Sequence, residues 1–176
     1  MNKRIQLLAF VTIIALLPAC AQVKKVYAYK QASIPGIQPK LITQEEGVSQ
    51  QLPVRKETFN YWFYIGVSKN EKIEVNSLWI SGKKYNVKSE PVNKLPVIKI
   101  NYTAASENDT VIMVPVTRNA VMLTYPSGEV NDSVNPSKYL TSLIIKNELV
   151  IAYLWKGKKY YTVKKMIIVL APEAHP

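Results

Sequence analysis

Thr58-Phe59-Asn60-Tyr61-Trp62-Phe63-Tyr64-Ile65-Gly66-Val67 is the most apolar stretch beyond the first twenty residues of the chain. Large apolar side chains stand at consecutive positions, so the two-residue period of a strand places aromatics on both of its faces. A strand of that kind has to be covered on both sides, which predicts a central strand rather than an edge.

The segments around it use the same vocabulary of Val, Ile, Tyr, Trp and Thr, punctuated by Pro, Gly, Asn and Asp. Upstream, Lys25 to Ala32 reads as a strand with Val26 and Ala28 on one face and Tyr27 and Tyr29 on the other. A polar connection through Pro35, Gly36, Pro39, Glu45, Glu46, Gly47 and Pro53 joins it to Thr58 and is long for a structured loop. Downstream, Ile73–Ser81 and Lys83–Lys88 read as a hairpin around Ser81-Gly82, because glycine supplies the positive φ of a tight turn. Leu95–Tyr102 follows, with Pro96 marking a sheet edge. Thr110–Thr117 and Ala120–Tyr125 are bounded by Asn108-Asp109, Arg118-Asn119 and Pro126-Ser127-Gly128. Leu149–Trp155 and Lys159–Leu170 read as a final hairpin over Lys156-Gly157-Lys158. Tyr139, Leu140, Leu143 and Ile144 recur at helical spacing after Asn135-Pro136, which offers a cap and a first-turn proline, and a short helix and a strand fit that stretch equally. Seven to nine strands without a long helix predict an all-β domain, an antiparallel immunoglobulin-like β-sandwich, with a small β-barrel as the alternative.

The chain begins with Lys3 and Arg4, continues through an uncharged apolar run from Ile5 to Leu17, and reaches Pro18, Ala19 and Ala21. This is the order of a secretory signal peptide, and the run is too short to cross a bilayer. Ala19-Cys20-Ala21 fits cleavage after Ala21. Leu17-Pro18-Ala19-Cys20 resembles the lipobox of bacterial lipoproteins, which implies cleavage before Cys20 and lipidation of that cysteine; Pro18 departs from the pattern. The non-acidic Ala21 would then imply the outer membrane. The expected organisation is a signal peptide over 1–21, a first strand and flexible connection over 22–57, a sandwich body over 58–172 and a disordered tail over 173–176. The expected location is periplasmic or secreted, with outer-membrane anchoring if Cys20 is acylated.

Cys20 is the only cysteine, so the domain has no disulfide framework. The sequence carries 23 Lys+Arg and 12 Asp+Glu. Removing Lys3 and Arg4 with the leader leaves 21 against 12, a formal +9. Outside the cytoplasm such a surface meets acidic glycans, lipid headgroups or acidic protein faces rather than nucleic acid.

The sole histidine, His175, is the second-last residue, which removes Ser-His-Asp and multi-histidine zinc devices from the fold. Neither Glu107-Asn108-Asp109 nor Glu129-Val130-Asn131-Asp132 has the spacing of a calcium loop, and no glycine-rich phosphate loop is present. The sequence predicts no enzyme, cofactor or metal site.

Leu78-Trp79-Ile80-Ser81-Gly82-Lys83-Lys84-Tyr85 is repeated in outline by Leu154-Trp155-Lys156-Gly157-Lys158-Lys159-Tyr160, one residue shorter between Trp and Gly. The plain account is two independent hairpins with protective lysines. The sharper one is a shared surface of Trp79, Lys83, Lys84, Tyr85, Trp155, Lys158, Lys159 and Tyr160 that binds acidic glycan or lipid headgroups. Asp109-Thr110-Val111 and Asp132-Ser133-Val134 resemble the Asp-Ser/Thr-aliphatic O-glycosylation signal of exported proteins in Bacteroidota-like bacteria, which implies Thr110 and Ser133 as acceptors. The functional expectation is an exported, non-enzymatic interaction or structural module of the envelope with a protein or glycan partner. The headgroup- or glycan-binding module is its alternative.

Overall fold

The Thr58–Val67 run is strand β2 in the computed structural model, which describes residues 22–34, 58–101, 109–131 and 136–174. On one face Phe63, Ile65 and Val67 are buried in the main core, and on the other Tyr64 is buried in a second cluster. Full burial of side chains such as Phe63, Ile65 and Leu78 contributes roughly 1.5–3 kcal/mol apiece.

The remaining strands are β1 (Val23–Ile34), β3 (Glu74–Ile80), β4 (Lys83–Pro91), β5 (Val97–Asn101), β6 (Asp109–Val114), β7 (Ala120–Glu129), β8 (Leu149–Trp155), β9 (Lys158–Lys164) and β10 (Ile168–Ala174). Among the described residues one helix, α1, spans Lys138–Lys146. Eight strands form a sheet in the order β10-β1-β2-β7-β4-β3-β8-β9, while β5 and β6 pair separately. Only Lys165–Ile167 separate β9 from β10, although these strands end the order on opposite sides. Four Cα steps reach at most about 14 Å, so the sheet has to curl until its edges are neighbours. The result is an all-β, sandwich-like fold with the curl of a half-barrel.

The curled sheet encloses Val26, Ala28, Phe63, Ile65, Leu78, Ile80, Leu149, Ile151 and Tyr153. Its outer surface is covered twice. The β5–β6 hairpin lies over β1, β2 and β7 through Met113 and Val114 against Tyr29, Tyr64 and Val121; the Tyr29 hydroxyl donates to the Met113 carbonyl at 2.7 Å. Helix α1 lies over β3 and β8 through Leu140 against Trp79, Val150 and Ala152.

Glu148 fastens the seam. Its carboxylate accepts from Lys30 Nζ of β1 at 2.6 Å and from the Ile167 N–H at 2.8 Å. Its carbonyl accepts from the Ser81 N–H at 2.8 Å. Burial pushes the Glu148 carboxyl up, but the bonds from Lys30 and Ile167 and the Lys30 charge outweigh this and hold it below its ordinary value.

The structure corrects several expectations. Lys159–Leu170 is not one hairpin arm: it divides into β9 and β10 because Ile167 turns into the core and Glu148 takes its N–H. The sheet is not purely antiparallel, since β10 pairs in parallel with β1. The first strand belongs to the body rather than preceding it, and β10 extends through Glu173 and Ala174, so the expected tail begins too early. Strand β7 does not stop at Tyr125; Pro126-Ser127-Gly128 is absorbed at a register shift opposite Asn86 and Val87. The ambiguous stretch at Tyr139–Ile144 is helical, and its cap is Ser137, whose side chain accepts from the Leu140 N–H, rather than Asn135-Pro136. The leader with Cys20, the connection over 35–57, Ser133 and residues 175–176 lie outside the described residues.

Candidate functional site

The two Gly-Lys-Lys turns have the same backbone. Ser81 and Gly82 stand at φ +48° and +87°, Lys156 and Gly157 at +49° and +73°. Both loops are two residues long with positive φ throughout, the hairpin form that glycine favours. Strand register then separates them. Glu74 pairs with Leu154 and Ile80 with Leu149, so the β3–β4 turn lies at one end of the sheet and the β8–β9 turn at the other. The two turns therefore do not meet at one end of the sheet, and of the second hairpin's residues expected in the shared surface Lys159 reaches the groove that the first hairpin lines.

The residues at the first turn go three ways. Trp79 is 7% exposed and packs beneath α1 on the outer surface. Tyr85 is half-buried against the inner core. The Lys83 ammonium lies 3.1 Å from Glu129, whose hydrogen bond and charge hold it above the ordinary lysine value. Lys84 pairs with Trp79 across the ladder. Trp79, Lys83, Lys84, Ser137, Thr141 and, at the far end, Lys159 line a groove of about 850 Å³ between the sheet and α1. Its charge is mixed, because Glu129 sits among these lysines.

At the second turn Trp155 faces the interior, opposite to Trp79. Its indole N–H donates to Glu71 Oε2 at 2.6 Å. Tyr160 meets it edge-on at 5.7 Å and stacks on Tyr153 at 5.8 Å. Lys158 and Lys159 remain exposed.

Register gathers further cations at this same end. Val23 pairs with Val67, and Val67 with Ala120, so the start of β1, the β2–β3 link and the β6–β7 link meet there. Pro91 pairs with Met122, and the Val92 N–H donates to the Val121 carbonyl at 2.9 Å, which brings the β4–β5 link alongside. Lys24 and Lys25 come from β1, Lys69 and Lys72 from the β2–β3 link, Lys94 from the β4–β5 link and Arg118 from the β6–β7 link. Lys156, Lys158 and Lys159 come from the β8–β9 hairpin. All nine are exposed. The Lys25 backbone carbonyl and the Asn119 side-chain amide converge on Gly66, 3.5 Å and 3.7 Å from where a Cβ would stand. Among the described residues, the carboxylates in the same loops and strand starts are Glu71 and Glu74, and Glu71 is engaged by Trp155 and, at 4.0 Å, by Lys156.

Several of these lysines lie over their own strands' rings: Lys25 Nζ is 5.0 Å from the Tyr27 centroid, Lys156 4.6 Å from Trp155 and Lys159 5.8 Å from Tyr161. The ammonium groups thus cover the aromatic faces while their side chains stay exposed to solvent. The basic end is therefore a rim of cations around a closed apolar interior. Sequence reasoning found Lys158 and Lys159 but missed Lys156 beside them and the other six, which are scattered over four more segments. The signal available was strand direction, which assigns each link to one end of the sheet.

Thr110 is exposed on β6, opposite Ile100. No three His, Cys, Asp or Glu side chains converge among the described residues, and no described helix is long and apolar enough to cross a membrane. No protein-family model, curated protein or solved structure matches the chain, which leaves this geometry as the basis for a functional reading.

Proposed function

We propose that the chain is an exported, non-catalytic binding module of the bacterial envelope that holds an anionic partner against its basic end. The observation that carries this reading is the convergence of nine exposed cations from five segments, with Glu71 already spoken for by Trp155. Neighbouring strands stand about 5 Å apart, less than the ~8 Å Debye length at physiological salt, so the potentials of charges on adjacent strand ends reinforce. The Lys3–Arg4 start, the Ile5–Leu17 run and the small residues after it support export.

Polygalacturonate, a soluble polyanion, is a direct probe. Binding is expected at low ionic strength and to weaken steadily as salt rises. Lys156→Gln/Lys158→Gln/Lys159→Gln should weaken it about tenfold, at up to ~1 kcal/mol for each exposed charge. Lys83→Gln/Lys84→Gln should leave it within about twofold, on the same scale. Absence of binding at low salt, or equal losses from the two variants, would overturn the assignment.

A further inference from the structure

Resting on that reading, we infer that the anionic partner is the headgroup layer of a lipid bilayer, met at the corner where the basic end joins the β5–β6 hairpin. The hairpin has two unlike faces. Met113 and Val114 cover the main sheet, and Lys99 also points inward, its Nζ 4.4 Å from the Trp62 centroid. The face turned to solvent carries isoleucines instead: Ile98 is 51% exposed and pairs with Ile112, 58% exposed. Val116, in the link that returns to β7, is 76% exposed. Together these three expose apolar area on the order of a few hundred Å² on the hairpin and the link beside it, the scale at which exposed apolar surface marks an interaction site.

That patch borders the basic end. Lys94 lies in the link that leads into β5, and Arg118 stands two residues beyond Val116. Aliphatic side chains flanked by cations suit an anionic bilayer, where hydrocarbon takes the first and lipid phosphates the second. An acidic glycan uses only the charges, since sugar rings stack on aromatic faces and those at this end are occupied. Trp155 is covered by Lys156 and Tyr160, and Tyr27 by Lys25. Strand β1 enters the fold at the same end, through Val23, Lys24 and Lys25, so a chain held from upstream presents this end first.

The test uses the chain from Gln22 onward, which contains every described strand and the helix. It is floated with vesicles of phosphatidylcholine alone or with a quarter phosphatidylglycerol, and titrated in parallel with polygalacturonate. Binding is expected to the phosphatidylglycerol vesicles and not to the neutral ones. Ile98→Ser/Ile112→Ser/Val116→Ser should cut vesicle binding at least about tenfold, from the apolar area lost, while leaving polygalacturonate binding unchanged. These side chains are exposed, so the variant should melt at the parent's temperature. If it does not, Ile112→Trp provides an independent reading, a blue shift in emission on phosphatidylglycerol vesicles. Polyanion binding without vesicle binding, vesicle binding indifferent to the triple substitution, or no blue shift would overturn the bilayer assignment and leave the polyanion reading standing. Failure to bind either probe would remove both.

Discussion

The β3–β4 and β8–β9 hairpins use one turn chemistry for two purposes. Each makes a two-residue turn with positive φ at both positions, and each places an aliphatic-Trp pair before it. The spacer is one residue shorter in the second, and a strand's side chains alternate with a period of two, so the tryptophans emerge on opposite faces. Trp79 is sealed outside the sheet beneath α1, while Trp155 closes the interior and ties the hairpin to Glu71. Similar sequence has yielded one lysine turn whose Lys83 is paired with Glu129, and one turn that adds to a field of cations.

Removing the two rings gives the sharpest contrast. Trp79→Ala should cost about 3–5 kcal/mol in chemical denaturation, the range for a buried ring. It should also lower the helical far-UV signal as α1 loses its floor. Trp155→Ala, at a half-buried site, should cost about 1–3 kcal/mol from the lost packing and the Glu71 bond, leaving the helix intact. Equal costs would mean that the opposite-face assignment is wrong.

Glu148 links the first hairpin to the seam, so Glu148→Gln probes the end remote from the second turn. It should cost about 1–3 kcal/mol at neutral pH, leaving Lys30 without its anion. Folding holds the Glu148 carboxyl below its usual 4.5, so the unfolded chain binds more protons in that range. The stabilisation is complete above the ordinary value and is lost as pH falls through the depressed one. Parent and variant stabilities measured down the acid limb should therefore converge; a constant gap would show that the carboxylate's charge plays no part.

The smallest effect is a test of sameness. Gly82 and Gly157 have open space where a Cβ would point, so alanine at either meets only the backbone penalty of positive φ. Each should lose about 1–2 kcal/mol, by equal amounts within error in paired melts. A clear difference would show that the two turns are not equivalent.

The turns and the strand cores were legible in the sequence because both are local. Thr58–Val67 reads as a strand needing cover on both faces, and the structure supplies β1 and β7 at its sides with the core and the β5–β6 hairpin above and below. The division of Lys159–Leu170 was not legible: Lys164-Lys165-Met166 contains no Gly, Pro or Asn, and the alternation through Tyr161 and Val163 resumes at Ile167 after a single lysine, Lys165. The break is imposed by Glu148, nineteen residues upstream, through the Ile167 N–H. At Pro126-Ser127-Gly128 the reverse occurs, because a strong turn signal is overridden by continued pairing with β4. The basic end was hidden for a related reason. Each of its segments is an unremarkable lysine-bearing loop, and only the register, with its parallel β1–β10 pair, says which loops are neighbours.

That parallel pair also fixes an order of events. Strand β1 is flanked by β2 on one side and on the other by β10, the last strand in the sequence. A chain emerging N-terminus first shows β1 at the outset, yet β1 keeps an open hydrogen-bonding edge until Ile168–Ala174 follow. Closure depends on contacts between segments more than a hundred residues apart, which are slow to form because the intervening loop must first be brought together. The domain is thus completed only when nearly all of its strands have emerged, and until then its first strand remains available to chaperones or to other unfinished chains.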